Sequence, residues 1–220
     1  MPAPIVWLVA ASLAVGAWPG RATAGEVNAL VRDQKGEPMP DAVVIAVSRG
    51  GAGPARAPTH RETVDQINKE FVPFVKPLFV GSPVYFPNKD NIRHHVYSFS
   101  PAKTFELPLY AGTPAKPVVF DKPGVVTIGC NIHDWMIAHI YVAETSYFGT
   151  TGSQGRVKLE NLPPGPYAVR VWHPSMANGE PSTSRSVTVE TGAVDLTWEL
   201  TSRQELRLRR APVPGQRGYR

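Results

Sequence analysis

Apolar and polar positions alternate along most of this chain, and no stretch keeps a helical period. Val126, Ile128 and Cys130 fall on one face of a strand-like run; Met136, Ala138, Ile140 and Val142 share a face, with Ile137, His139 and Tyr141 on the other. Tyr167, Val169 and Val171 repeat the pattern, and Val187, Val189, Leu196, Trp198 and Leu200 offer two more strands. Near the start, residues 27–33 and 43–47 read as strands flanking a polar turn. The 23 prolines and 19 glycines are dispersed, as expected where turns separate short strands, so the pattern predicts an all-β chain.

Residues 5–17 are apolar apart from Ser12, and Ala22-Thr23-Ala24 supplies the small-x-small pattern of a signal peptidase site. Residues 1–24 are read as a secretory signal cut before Gly25, and the mature protein is expected in the periplasm. The apolar run is shorter than the ~20 residues of a comfortable membrane span, so no stable span is expected after cleavage. Net charge is +5, and the segment 201–220, with six arginines against one glutamate, accounts for the excess. This tail is read as solvated and disordered, and no nucleic-acid partner is inferred.

Chemistry concentrates in Cys130-Asn131-Ile132-His133-Asp134-Trp135-Met136, which holds the single cysteine of the chain. Thiolate and thioether select copper(I), and imidazole suits both copper oxidation states, whereas zinc rarely takes methionine. A second histidine is available upstream in His94-His95. A cysteine–histidine pair could also serve nucleophilic catalysis, but here the two lie three residues apart with only Asp134 as an orienting acid nearby, and no hydrolase signature surrounds them. No glycine-rich phosphate loop or paired carboxylates occur either, so the chain is not read as an enzyme.

Cys-x-x-His-x-x-Met resembles the ligand loop of the cupredoxins, with the short spacing of amicyanin. The run 120–130 is similar to the cupredoxin strand that delivers the cysteine, and Gly81-x-x-Val84-x-Phe86-x-Asn88-x-Asp90 before His94-His95-Val96 resembles the strand and loop of the first ligand. The resemblance implies one type 1 copper held by His94, Cys130, His133 and Met136. His95 then stands where the family has asparagine, a residue that ties the two ligand loops together. A rival register makes His95 the ligand, because His95, Tyr97 and Phe99 share a face on which Phe99 would pack inward. Asp134 and Trp135 are placed as exposed residues at the loop rim, where they would tune docking or potential; His139 is a packed or surface histidine, and His60 and His173 are solvated.

A second resemblance brackets the first. The strand, Asp33-x-x-Gly36 turn, proline pair and Asp41-Ala-Val-Val strand are similar to the opening of carboxypeptidase-regulatory-like, transthyretin-like β-sandwiches, and residues 155–171, with Leu162-Pro-Pro-Gly165, resemble their later half. The expected organisation is a Greek-key cupredoxin sandwich (61–144) inserted into a smaller sandwich (26–50 plus 145–200), with 51–60 as linker and few contacts crossing between the two. The implied function is one-electron transfer with a redox protein such as a cytochrome or quinoprotein. A copper(I) chaperone or storage module and a non-redox structural binding module are the alternatives.

Overall fold

The computed structural model describes residues 24–50 and 61–203; the expected signal, the linker 51–60 and the tail beyond 203 lie outside the described residues. Among the described residues the chain is all-β apart from one short 3-10 turn, Glu180–Thr183, and no helix is long and apolar enough to cross a membrane. It opens with β1 (Gly25–Asp33) and β2 (Val43–Ser48), between which Asp33 Oδ1 accepts the backbone N–H groups of Lys35 and Glu37 to close the turn. β1 buries Val27, Ala29 and Val31 at alternate positions. β2 instead buries four successive residues, Val43 to Ala46, because each of its faces meets a different apolar cluster.

Ten strands follow: β3 (Glu62–Thr63), β4 (Asp65–Ile67), β5 (Glu70–Val72), β6 (Val75–Phe79), β7 (Ser82–Tyr85), β8 (His94–Ser100), β9 (Lys103–Tyr110), β10 (Val118–Phe120), β11 (Gly124–Gly129) and β12 (Ile137–Ala143). The five-stranded sheet β6-β12-β11-β8-β9 faces the sheet β10-β7-β3, and β4 and β5 form a separate hairpin. Phe86, Phe120, Val126, Ile128, Ile140 and Cys130 fill the space between the sheets. The last strands are β13 (Phe148–Thr150), β14 (Arg156–Leu162), β15 (Gly165–Trp172), β16 (Arg185–Val189) and β17 (Ala193–Leu200). They pair back onto the start of the chain: β1 lies between β14 and β17, and β2 between β13 and β15. Leu159, Leu162, Tyr167, Val169 and Trp198 join Val27, Val31 and Val44 in this second core.

Contacts between the two sandwiches are more extensive than an insertion at an exposed loop implies. Val43 and Ile45 of β2 pack with Val75, Tyr141 and Ala143 of β6 and β12 in a third buried cluster, with Trp172 against it. Within this seam the Tyr141 hydroxyl donates to the Glu180 carboxylate (2.8 and 2.9 Å), and Arg170 bridges Glu180 and Glu144. Tyr141 is therefore buried although its position alternates away from the core between the five-stranded and three-stranded sheets. The expectation for His173 is also corrected: it is 5% exposed, because the turn after β15 folds over it and Ser175 approaches its Nδ1 through both backbone N–H (3.1 Å) and hydroxyl (2.8 Å).

Candidate metal centre

The alternation of β11 carries Cys130 inward behind Val126 and Ile128, and the loop 130–136 then turns tightly on itself. Cys130 N–H donates to Met136 O, Met136 N–H to His133 O and Ile137 N–H to Trp135 O. This closure brings His133 Nδ1 to 3.9 Å from Cys130 Sγ. His94, at the start of β8, completes a group whose ligand atoms all lie within 4.8 Å of one another. His94 and Cys130 are buried and His133 is half-buried. Met136 is 1% exposed and packs in the same apolar cluster as Cys130. Strand β8 meets β11 at Tyr97 and Gly129; a Cβ at Gly129 would stand 3.1 Å from the Tyr97 ring, so the residue before Cys130 is closely covered and a side chain there would push on that ring.

His94 is fixed from behind. Its Nε2 lies 2.7 Å from Asp90 Oδ2, while Asn68 N–H donates to Oδ1 (2.6 Å) and Lys69 N–H to Oδ2 (2.8 Å) of the same carboxylate. Burial raises the Asp90 carboxyl, but the bonds from Lys69, His94 and Asn68 outweigh it and hold the group below the usual carboxylate range. An ionised carboxylate only accepts, so a neutral His94 ring carries its proton on Nε2 and leaves the Nδ1 lone pair for a ligand. That Nδ1 is buried with no hydrogen-bond partner. A buried acceptor left unpaired is costly, and here it belongs to a group with a thiol and a second imidazole, so the donor set fits a soft cation. Burial, with His94 and Lys69 adding to it against Asp90, lowers the His133 imidazole below its ordinary value, which keeps it neutral and able to ligate.

The neighbouring His95 is outside this group. Its Nε2 bonds Glu106 Oε1 of β9 (2.8 Å), and it does not tie the ligand loops as its place in the motif implies. Phe99 is 80% exposed, so the face of His95, Tyr97 and Phe99 points outward, away from the core that the rival register requires. The link between the ligand segments comes from Trp135. Expected as an exposed rim residue, it is half-buried, lies against the His133 ring in a tilted contact (centroids 5.0 Å, 56° between planes) and donates its Nε1–H to Lys69 O (2.9 Å). Asp134 is exposed. His139 packs between Phe74 and Trp172 in the seam, with Thr127 Oγ1 3.0 Å from its Nδ1, and His60 lies outside the described residues.

Asp90, Asn88 and Tyr110 carry roles that the sequence reading left unassigned. Asn88 donates to Ile92 O and Tyr110 O and accepts from Asp90 N–H, which shapes the segment leading to His94. Burial pushes the Tyr110 hydroxyl up to about 12, against a hydrogen bond from Gln66 and with the Cys130 charge adding to the rise. The available signal was the spacing Asn88-x-Asp90-x-x-x-His94, an acid four residues before a ligand candidate.

No family model and no curated protein matches the chain. Solved structures match part of it. A copper-containing nitrite reductase from Thermus scotoductus SA-01 is 27% identical with a TM-score of 0.37, over 43% of this chain and 25% of that one. A purple cupredoxin from Nitrosopumilus maritimus is 21% identical with a TM-score of 0.34, over 37% of this chain and 99% of that one. A mutant of amicyanin in its reduced Cu(I) form is 16% identical with a TM-score of 0.35, over 46% of this chain and 98% of that one. Each of these structures is matched over less than half of this chain's length, and the chain spans a quarter of the nitrite reductase.

Proposed function

We propose that this protein binds one copper ion through His94, Cys130 and His133, with Met136 as a fourth donor, and carries single electrons between redox partners. The observation behind the reading is the unpaired Nδ1 of fully buried His94, grouped with the Cys130 thiol and the His133 imidazole. Thiolate, two imidazoles and a thioether form a set suited to copper in both oxidation states, and copper so held would supply one-electron chemistry and an intense thiolate charge-transfer colour.

The chain's own residues hold the ligands and limit access to them. Asp90 orients His94, the three backbone bonds of the loop hold Cys130 against His133, and Met136 excludes water on the apolar side. His133, the half-buried member, is the edge through which electrons would pass. It lies beside Trp135 and Ile132, the latter 48% exposed, and next to Asp134; a redox protein such as a cytochrome or quinoprotein would dock there through a small interface. Burial of His94 and Cys130 favours retention of the metal over hand-over by a chaperone. The sequence of residues 1–24 supports export to the periplasm.

Copper(II) titration of the purified mature protein is the test. One equivalent is expected to produce an intense visible band that C130S lacks, and Trp135→Glu is expected to slow electron exchange with a cytochrome while keeping the band. A colourless complex, or ready loss of copper(I) to a chelator of modest affinity, would overturn electron transfer in favour of the chaperone or storage reading.

A further inference from the structure

One backbone turn reaches both histidines of the candidate centre, although it lies more than twenty residues from either in sequence. Asn68 and Lys69 join β4 to β5 with φ of 55° and 60°, the left-handed pair that a tight two-residue hairpin requires. That conformation sends two successive N–H groups to the two oxygens of Asp90, which in turn receives His94 Nε2. From the other side of the same turn, Lys69 O accepts the N–H of the Trp135 indole, whose ring lies tilted against His133. We infer that the Asn68-Lys69 turn is a clamp that sets the placement of His94 relative to His133, acting through Asp90 on one side and Trp135 on the other. The inference rests on the metal-site reading for its purpose, but not for its geometry.

Only a carboxylate satisfies the Asp90 position. Both of its oxygens face backbone donors, and one of them faces the His94 ring as well. Asparagine has a single acceptor oxygen. With that oxygen toward Lys69 and His94, the amide NH2 opposes Asn68 N–H. With the amide reversed, the NH2 opposes Lys69 N–H and donates to His94 Nε2, which moves the ring proton to Nδ1 and blocks the ligand atom. Asp90 and Trp135 are thus positioning residues that share one turn, and their effects are coupled through it.

The test combines nitrogen-15 NMR of the histidine rings in the metal-free protein with copper(I) affinity measured by competition with bicinchoninate, for wild type, D90N, W135F and the double variant. His94 in the wild type is expected as the Nε2–H tautomer, with the Asn68 and Lys69 amide protons protected from exchange. D90N is expected to move the His94 proton toward Nδ1 and to weaken copper(I) binding about 10–100-fold, the range for loss of a group that orients a ligand. W135F is expected to cost about threefold alone and less than that in the D90N background, since the clamp is already open. An unchanged His94 tautomer with affinity within twofold in D90N, or losses that simply multiply, would overturn the clamp. Rapid exchange of the two amides in the wild type would overturn it without any variant, which covers the case in which D90N does not fold. Failure of the wild type to bind copper would sink the metal-site reading, while the ring and exchange measurements still decide the clamp.

Discussion

Two adjacent histidines on β8 each sit against a carboxylate, and the two faces of the strand make different things of the same pairing. On the inner face His94 is fully enclosed, Asp90 is 12% exposed, and two backbone N–H groups hold the acid in place. On the outer face His95 is paired with Glu106, whose side chain is 69% exposed. Both pairs leave a buried Nδ1 without a partner, but only that of His94 belongs to a group with a thiol and a second imidazole. A histidine becomes a candidate ligand here because its acid is immobilised and its free nitrogen shares a pocket with other donors, and burial of the ring is not enough.

The sharpest break of the comparison is by ligand removal. H94A is expected to lose the copper(II) visible band together with C130S, and H95A to keep it. The opposite outcome in visible spectra of the two histidine variants would exchange the roles of the two faces. Stability is the next measure. D90A leaves the buried His94 ring N–H without its acceptor, while the Asn68 and Lys69 N–H groups of the exposed turn can turn to water, so chemical denaturation is expected to give a loss of about 1–3 kcal/mol. Tyr141→Phe removes a hydroxyl held by Glu180 in the seam and is expected to cost about 1–2 kcal/mol in the same measurement. E106A, acting on a solvent-screened pair, is expected to change stability by less than about 0.5 kcal/mol. If E106A rivalled D90A, exposure of the acid would not be what separates the two faces.

Much of this was readable from period-two alternation, because a strand with one buried face records that face in its sequence. Val126, Ile128 and Cys130, and Met136, Ala138, Ile140 and Val142, all lie in one core as the alternation requires. The candidate metal loop stood out because its possible donors are close in sequence. Asp90 was not, since its task depends on N–H groups from a turn about twenty residues earlier, and backbone donors carry no sequence signature. Trp135 was placed in solvent for the same reason: its partner is the carbonyl oxygen of Lys69. The outer face of β12 was visible as a second alternating set, but nothing in Ile137, His139 and Tyr141 names Trp172, Val43 and Ile45 as what covers it. His173 read as a turn histidine, and its burial follows from a local wrap with Ser175 that composition does not encode.

The seam between the sandwiches limits how this protein can be taken apart or inherited piecemeal. Strand β12 leaves the loop 130–136 with one side in each of two cores, and β2 does the same from the opposite partner. Cutting the chain down to 61–144 would lay bare Val75, Tyr141 and Ala143 as a sticky apolar patch, and the remainder would expose Val43 and Ile45 in return. Neither sandwich is therefore portable as it stands, since a chain cut down to one of them would need polar residues on its seam face before it could stay in solution.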